Sequence, residues 1–96
     1  MIDKKTRISL RSLAMNVKST VWIGKEGVTE NVLKQIAEEL FNHELVKITI
    51  QETDELNELE ITELAVKLGA EVVTTIGRKI VLYKHSEKKG IKHVLA

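Results

Sequence analysis

Apolar positions recur along this chain with two different periods, and the switches between them mark its elements. Within residues 6–18, Leu10, Leu13, Ala14 and Val17 stand at i, i+3, i+4 and i+7, which predicts an amphipathic helix. Residues 16–20 read as its end. Residues 20–23, TVWI, are β-branched and aromatic and predict a short strand. Thr29 then suits a helix N-cap, with Glu30 placed well for the helix dipole. The helix that follows carries Val32, Leu33, Ile36, Leu40 and Phe41 at a 3.6-residue period and ends at Asn42 or His43. In residues 45–51 the period drops to two, with Val46, Ile48 and Ile50 on one face and Lys47 and Thr49 on the other.

A third helix is predicted over residues 54–69, capped by Asp54, with Leu56, Leu59, Leu64, Ala65 and Leu68 apolar and Gly69 as a left-handed C-terminal cap. Residues 71–84 hold two β-rich runs around Gly77-Arg78, a pair suited to a two-residue type II′ hairpin turn. Strict alternation puts Val73, Ile80 and Leu82 on one face of this hairpin and Val72, Ile76, Val81 and Tyr83 on the other. Both sets are apolar, so both faces are candidates for burial. The order is α-β-α-β-α-β-β. Strands joined through helices favour parallel pairing, and the closing hairpin is antiparallel. The expected fold class is mixed α/β: one four-stranded mixed sheet with helices packed on it. Residues 1–85 form the expected single domain, and residues 86–96 a basic tail without clear periodicity.

Composition narrows the class. The 96 residues contain no Cys, which removes disulfides, thiolate metal sites and cysteine nucleophiles and fits a reducing compartment. No apolar run approaches the roughly 20 residues of a membrane span, and the N-terminus lacks the apolar core of a signal peptide. A soluble, cytoplasmic protein without a membrane partner is expected. The net charge of +1 conceals a pattern. Residues 1–25 carry six Lys/Arg and one Asp, net +5; residues 26–63 carry two Lys and eleven Asp/Glu, net −9; residues 64–96 carry seven Lys/Arg and two Glu, net +5. If the two basic ends fold together, one side of the molecule becomes positive and steers a polyanion.

Catalytic chemistry finds little to work with. His43, His85 and His93 have no partners at metal-ligand spacing, and His43 reads as a capping or surface residue. No GxSxG is present, and none of the four serines, 9, 12, 19 and 86, sits in an elbow motif. The carboxylates fall on amphipathic helices, where solvated faces account for them. No enzyme, no metal and no cofactor is expected. The stretch Gly24-Lys25-Glu26-Gly27 is neither a dinucleotide fingerprint nor a P-loop. It does lead into a helix N-terminus, which attracts anions.

Nucleic acid suits these residues better. Phosphates need basic side chains and accessible backbone amides. Lys25 lies in the glycine loop, Arg78 and Lys79 at the hairpin tip, and Lys84 after it; Arg7, Arg11 and Lys18 form a basic stripe on the first helix. Gly24 and Gly27 let a ribose-phosphate chain approach the backbone closely, the device of the GxxG loop in KH domains, although Glu26 opposes a phosphate there. With only Trp22, Phe41 and Tyr83 as aromatics, a sheet that stacks several bases is disfavoured, and contact is expected mainly with backbone and shape.

Four segments in order, IGKEGVTE at 23–30, HELVKI at 43–48, ELAVKLGAEVV at 63–73 and IGRKIVLYK at 76–84, resemble the CRM domain (chloroplast RNA splicing and ribosome maturation), above all its stand-alone bacterial YhbY-like form. The resemblance covers roughly residues 4–85. It implies a fold like the C-terminal domain of translation initiation factor three and RNA binding, with ribosomal RNA of large-subunit precursors as partner. Carried over by position, the family's glycine loop is Gly24, Lys25, Glu26 and Gly27. Its His-Glu-Leu segment is His43, Glu44 and Leu45, followed by Lys47. Its closing hairpin is Gly77, Arg78 and Lys79, with Leu82 and Tyr83 after it. Where the family often has Arg at the end of that strand, this chain has Lys84, which keeps the charge but loses the bidentate fork. The competing function is a protein-interaction module, in which the acidic face from Glu52 to Glu63 docks a basic ribosomal protein.

Overall fold

The computed structural model describes residues 3–24, 27–50, 58–91 and 94. The order is α1 (Lys4–Ala14), β1 (Val21–Ile23), α2 (Glu30–His43), β2 (Leu45–Ile50), α3 (Glu58–Leu68), β3 (Glu71–Ile76) and β4 (Lys79–Tyr83), as the periodicities predict. The four strands make one mixed sheet in the order β1-β2-β4-β3. β1 pairs in parallel with β2, and β4 inserts antiparallel between β2 and β3. The C-terminal ends of β1, β2 and β3 therefore share one end of the sheet with the β3–β4 turn.

Helices cover both faces. α2 and α3 pack on one side, where Ile36, Leu40, Leu64 and Ala65 meet Val21, Ile23, Val46, Ile48, Ile50, Ile80 and Leu82. α1 packs on the other, where Leu10 and Ala14 meet Leu45, Val73, Val81 and Tyr83. Both hairpin faces are thus buried, which explains why both are apolar. The assignment of Val72 and Val73 is the reverse of simple alternation. A register shift between Val72 and Thr74 inserts a bulge, so Val72 joins the α2–α3 core and Val73 the α1 core.

Local chemistry sets the ends. α1 starts before residue 6 because the Asp3 carboxylate caps it, accepting the Thr6 N–H at 2.7 Å. That hydrogen bond holds the Asp3 carboxyl below its usual value. α1 stops at Ala14, before the end expected within residues 16–20, because the chain must reach β2: the Thr20 N–H already donates to the Lys47 carbonyl. Thr29 caps α2 as expected, its hydroxyl accepting the Val32 N–H at 3.2 Å. Asp54 lies outside the described residues. At the far end of α3, Gly69 has φ +67, the Ala70 N–H reaches the Ala65 carbonyl and the Gly69 N–H reaches the Val66 carbonyl, a Schellman cap. Phe41, expected in the core, is half exposed at the end of α2, where the Lys88 ammonium lies 5.9 Å from its ring centre.

Residues 84–91 contain no helix or strand, yet they are tied down. Glu44 is fully buried, and its carboxylate accepts the Ser86 N–H at 2.7 Å and the Val94 N–H at 3.0 Å. The Ser86 hydroxyl donates to the Phe41 carbonyl, and Lys88 donates to Asn42 Oδ1. Val94 packs against the α1 core. The described part of the tail is therefore an irregular strap across the end of α2, not a loose appendage.

Candidate nucleic-acid interface

The sheet end that carries the C-termini of the parallel strands gathers the glycine loop and the hairpin tip. Ile23 is in register with Ile50, and the Ile50 N–H donates to the Arg78 carbonyl at 2.8 Å. Gly24 thus leaves the sheet two strands from Lys79, about 10 Å at ordinary strand spacing. The Gly27 N–H donates to the Gly24 carbonyl at 3.0 Å, which draws the two glycines together, and Gly27 takes φ +73 before the Thr29 cap. That left-handed conformation explains a glycine at position 27. Lys25 and Glu26 lie outside the described residues. The first turn of α2 follows at once, so its free amides add a partial positive field at this end.

The face under α1 supplies further cations. In register across the sheet stand Trp22, Thr49, Lys79 and Ile76, all opposite the α2–α3 core; Lys47 and Val81 form the next row. α1 covers only part of this face. Between it and β3–β4 opens a groove of about 490 Å³ lined by apolar side chains and by Arg11, Lys47 and Lys79. Among the described residues, none of these three cations pairs with a carboxylate. Arg11 and Lys79 are exposed and Lys47 is half-buried.

The remaining expected contacts are distributed elsewhere. Arg7 turns inward: its guanidinium donates to the carbonyls of Val72 and Val73 and pins the β3 bulge to α1. Lys18 lies beyond the end of α1, in the link to β1, so it does not continue a helical stripe with Arg7 and Arg11. It lines a separate cleft with Glu39 and His43. Lys84 follows β4 at the end opposite the hairpin tip and lies over Gly69 at the α3 C-terminus, a favourable place for a cation. His43 lies at the end of α2, 3.7 Å from Glu39, with its side chain largely in solvent. The acidic face from Glu52 to Glu63 falls largely outside the described residues; Glu60 and Glu63 sit on α3, in the layer away from Arg11 and Lys79. Among the described residues no group of His and carboxylates could hold a metal ion, and no helix is long and apolar enough to cross a membrane.

Two members of this region were not singled out from the sequence as part of it. Lys47 was signalled by the alternation in β2: it lies between Val46 and Ile48, both in the α2–α3 core, and so faces the other way. Trp22 was signalled by lying between Val21 and Ile23, both buried, which forces it to the other face.

The molecule is a three-layer α/β/α domain whose glycine loop, hairpin tip and cationic groove occupy one end and one face of the sheet. Its sequence places it more narrowly: the model of the CRS1/YhbY (CRM) domain matches residues 2–84, and the chain belongs to that family. It is 38% identical over 89 residues to "Probable RNA-binding protein YqeI" of Bacillus subtilis, covering 92% of this chain and 93% of that one. It is 35% identical over 92 residues to a Haemophilus influenzae protein named "RNA-binding protein", covering 95% and 93%. The fold is similar to the solution structure of SAV1595 from Staphylococcus aureus, with a TM-score of 0.71 and 37% identity over 97% of this chain and 99% of that one.

Proposed function

We propose that this protein is a non-catalytic, cytoplasmic RNA-binding protein that holds ribosomal RNA of large-subunit precursors during ribosome assembly. It grips the RNA mainly through backbone phosphates. The contacts come from the glycine loop at 24–27, the hairpin tip at Arg78 and Lys79, and the cations beside α1. The observation that carries this reading is that one sheet end and the adjoining face bring together Gly24, Gly27, Arg78, Lys79, Lys47 and Arg11, from segments far apart in the chain. Amides at a helix N-terminus and cations without carboxylate partners are the groups that phosphates need. The names of the B. subtilis and H. influenzae relatives agree with RNA as the ligand. The YhbY-like motifs support the ribosomal target.

The test is affinity for a large-subunit ribosomal RNA fragment across a salt series. With about four phosphates neutralised, affinity should fall roughly fifty-fold between 50 and 200 mM salt. A flat profile, or no binding at the lowest salt, would overturn the proposal.

A further inference from the structure

The half of the sheet that α1 leaves uncovered is more apolar than phosphate binding requires. Ile8 on α1, Met15 at its C-cap and Ile76 at the end of β3 are exposed by 56%, 81% and 66%, and all three line the groove. Trp22 is 48% exposed on the same sheet face, in the row that runs through Thr49 and Lys79 to Ile76. Between the indole and Ile76 the row holds Thr49 and Lys79. Thr49 directs its hydroxyl to Ser19, and Lys79 is the one cation there. Strand spacing puts Trp22 about 10 Å from Lys79. Apolar surface and cations therefore alternate across one shallow face.

Charge decides the kind of occupant. Among its described residues this groove has Arg11, Lys47 and Lys79 and no carboxylate, whereas one neighbouring cleft contains Glu39 and another contains Glu38 and Glu87. A ligand that is both anionic and flat and apolar matches it. Duplex RNA presents phosphates but hides its base faces; an unpaired strand presents both. Surfaces for single strands combine a cationic track with aromatic platforms in this way.

We infer that this face binds an unpaired segment of RNA, with one base stacked on the Trp22 indole, a second base further along the strand seated against Ile76 and Met15, and the connecting phosphates held by Lys79, Lys47 and Arg11. The inference rests on the RNA-binding reading and adds a base-stacking subsite to it. Specificity at this subsite is for unpaired over paired RNA, because an indole face accepts any base.

Trp22 is the one tryptophan of the chain, so its fluorescence reports on the subsite directly. The full chain is titrated with a single-stranded heptauridylate, with an abasic ribose-phosphate oligomer of the same length, and with a large-subunit ribosomal RNA fragment that contains both stems and loops. Saturable quenching by heptauridylate and none by the abasic oligomer is expected. Trp22→Leu should lower heptauridylate affinity about tenfold, and Trp22→Phe should recover most of it. If the ribosomal fragment binds with steep salt dependence but heptauridylate leaves Trp22 unquenched, the stacking subsite is refuted and phosphate binding stands. If neither RNA binds, both readings fall. If Trp22 fluorescence instead changes with protein concentration alone and the chain sediments as a dimer, the face is a self-interface and the subsite is refuted. The quenching measurement uses the unsubstituted chain, so it decides even if a Trp22 variant misfolds.

Discussion

Glu44 occupies a conformation that L-residues rarely adopt, φ +65, in a fully buried position. Its backbone ends α2, the N–H donating to the Leu40 carbonyl at 2.8 Å, and its side chain takes the amides of Ser86 and Val94. One residue thus stops a helix and straps the tail. Its charge also reaches Tyr83, whose phenol is pushed above its ordinary value first by burial and then by Glu44. A buried carboxylate without partners would be expensive, and here the amides of Ser86 and Val94 bond it and His85 Nδ1 lies 3.4 Å from it. Glu44→Ala leaves those amides without an acceptor and should lower stability by about 2–3 kcal/mol. It should also expose Lys88 and Lys89 to trypsin. Urea unfolding and limited proteolysis check both effects, and an unchanged cleavage rate would show that the strap is held by other contacts. Arg7 is a second residue whose charge has a structural role, through the carbonyls at the bulge.

At the scale of elements, the β3–β4 hairpin shows how turn chemistry fixes a site. Gly77 has φ +57, whereas Arg78 keeps a negative φ, the pattern of a type II′ turn. That turn presents Arg78 and Lys79 at the sheet end where the glycine loop begins. A Cβ at Gly77 would meet nothing within 4 Å, so replacement acts through backbone strain alone. Gly77→Ala should cost about 1–3 kcal/mol in urea unfolding without changing the far-ultraviolet dichroism. No loss would mean that the turn adopts another conformation. The bulge in β3 is the second device at this scale. It rotates Val73 under α1, which a regular strand would have turned toward α2 and α3.

At the scale of the whole molecule, the layers separate charge. The cations of the candidate interface lie on α1, on the sheet face beneath it and at the hairpin tip, whereas Glu38, Glu39, Glu60 and Glu63 lie on α2 and α3. Replacing Lys25, Arg78 and Lys79 together by Ala should weaken binding of a ribosomal RNA fragment and lower its salt slope by about one for each phosphate no longer neutralised. Folding should be nearly intact, since exposed charges rarely shift stability by more than about 0.5 kcal/mol. The control replaces Lys34 and Lys67, cations of the α2–α3 layer. Equal weakening in the control would place the binding face on the wrong side of the sheet.

Element types and their order could be read from residue periods, because burying one stripe of a helix or one face of a strand leaves a local imprint. Thr29, Gly69 and Gly77 marked their caps and turn for the same reason: the chemistry that ends an element lies within a few residues of the end. The motifs around Gly24 and Gly77 likewise pointed to the two loops before their meeting was visible. What periods could not supply were relations between distant segments. Insertion of β4 between β2 and β3, the bulge that exchanges Val72 and Val73, and the inward turn of Arg7 all depend on partners more than a turn away. A basic stripe of Arg7, Arg11 and Lys18 dissolved for that reason: one cation met two carbonyls of β3, one stayed at the groove, and one lay past the end of a helix cut short by pairing with β2. Charge patterning announced two basic ends, but only packing α1 on the sheet put Arg11 beside Lys47 and Lys79, because side chains from three elements share a face only after the layers close.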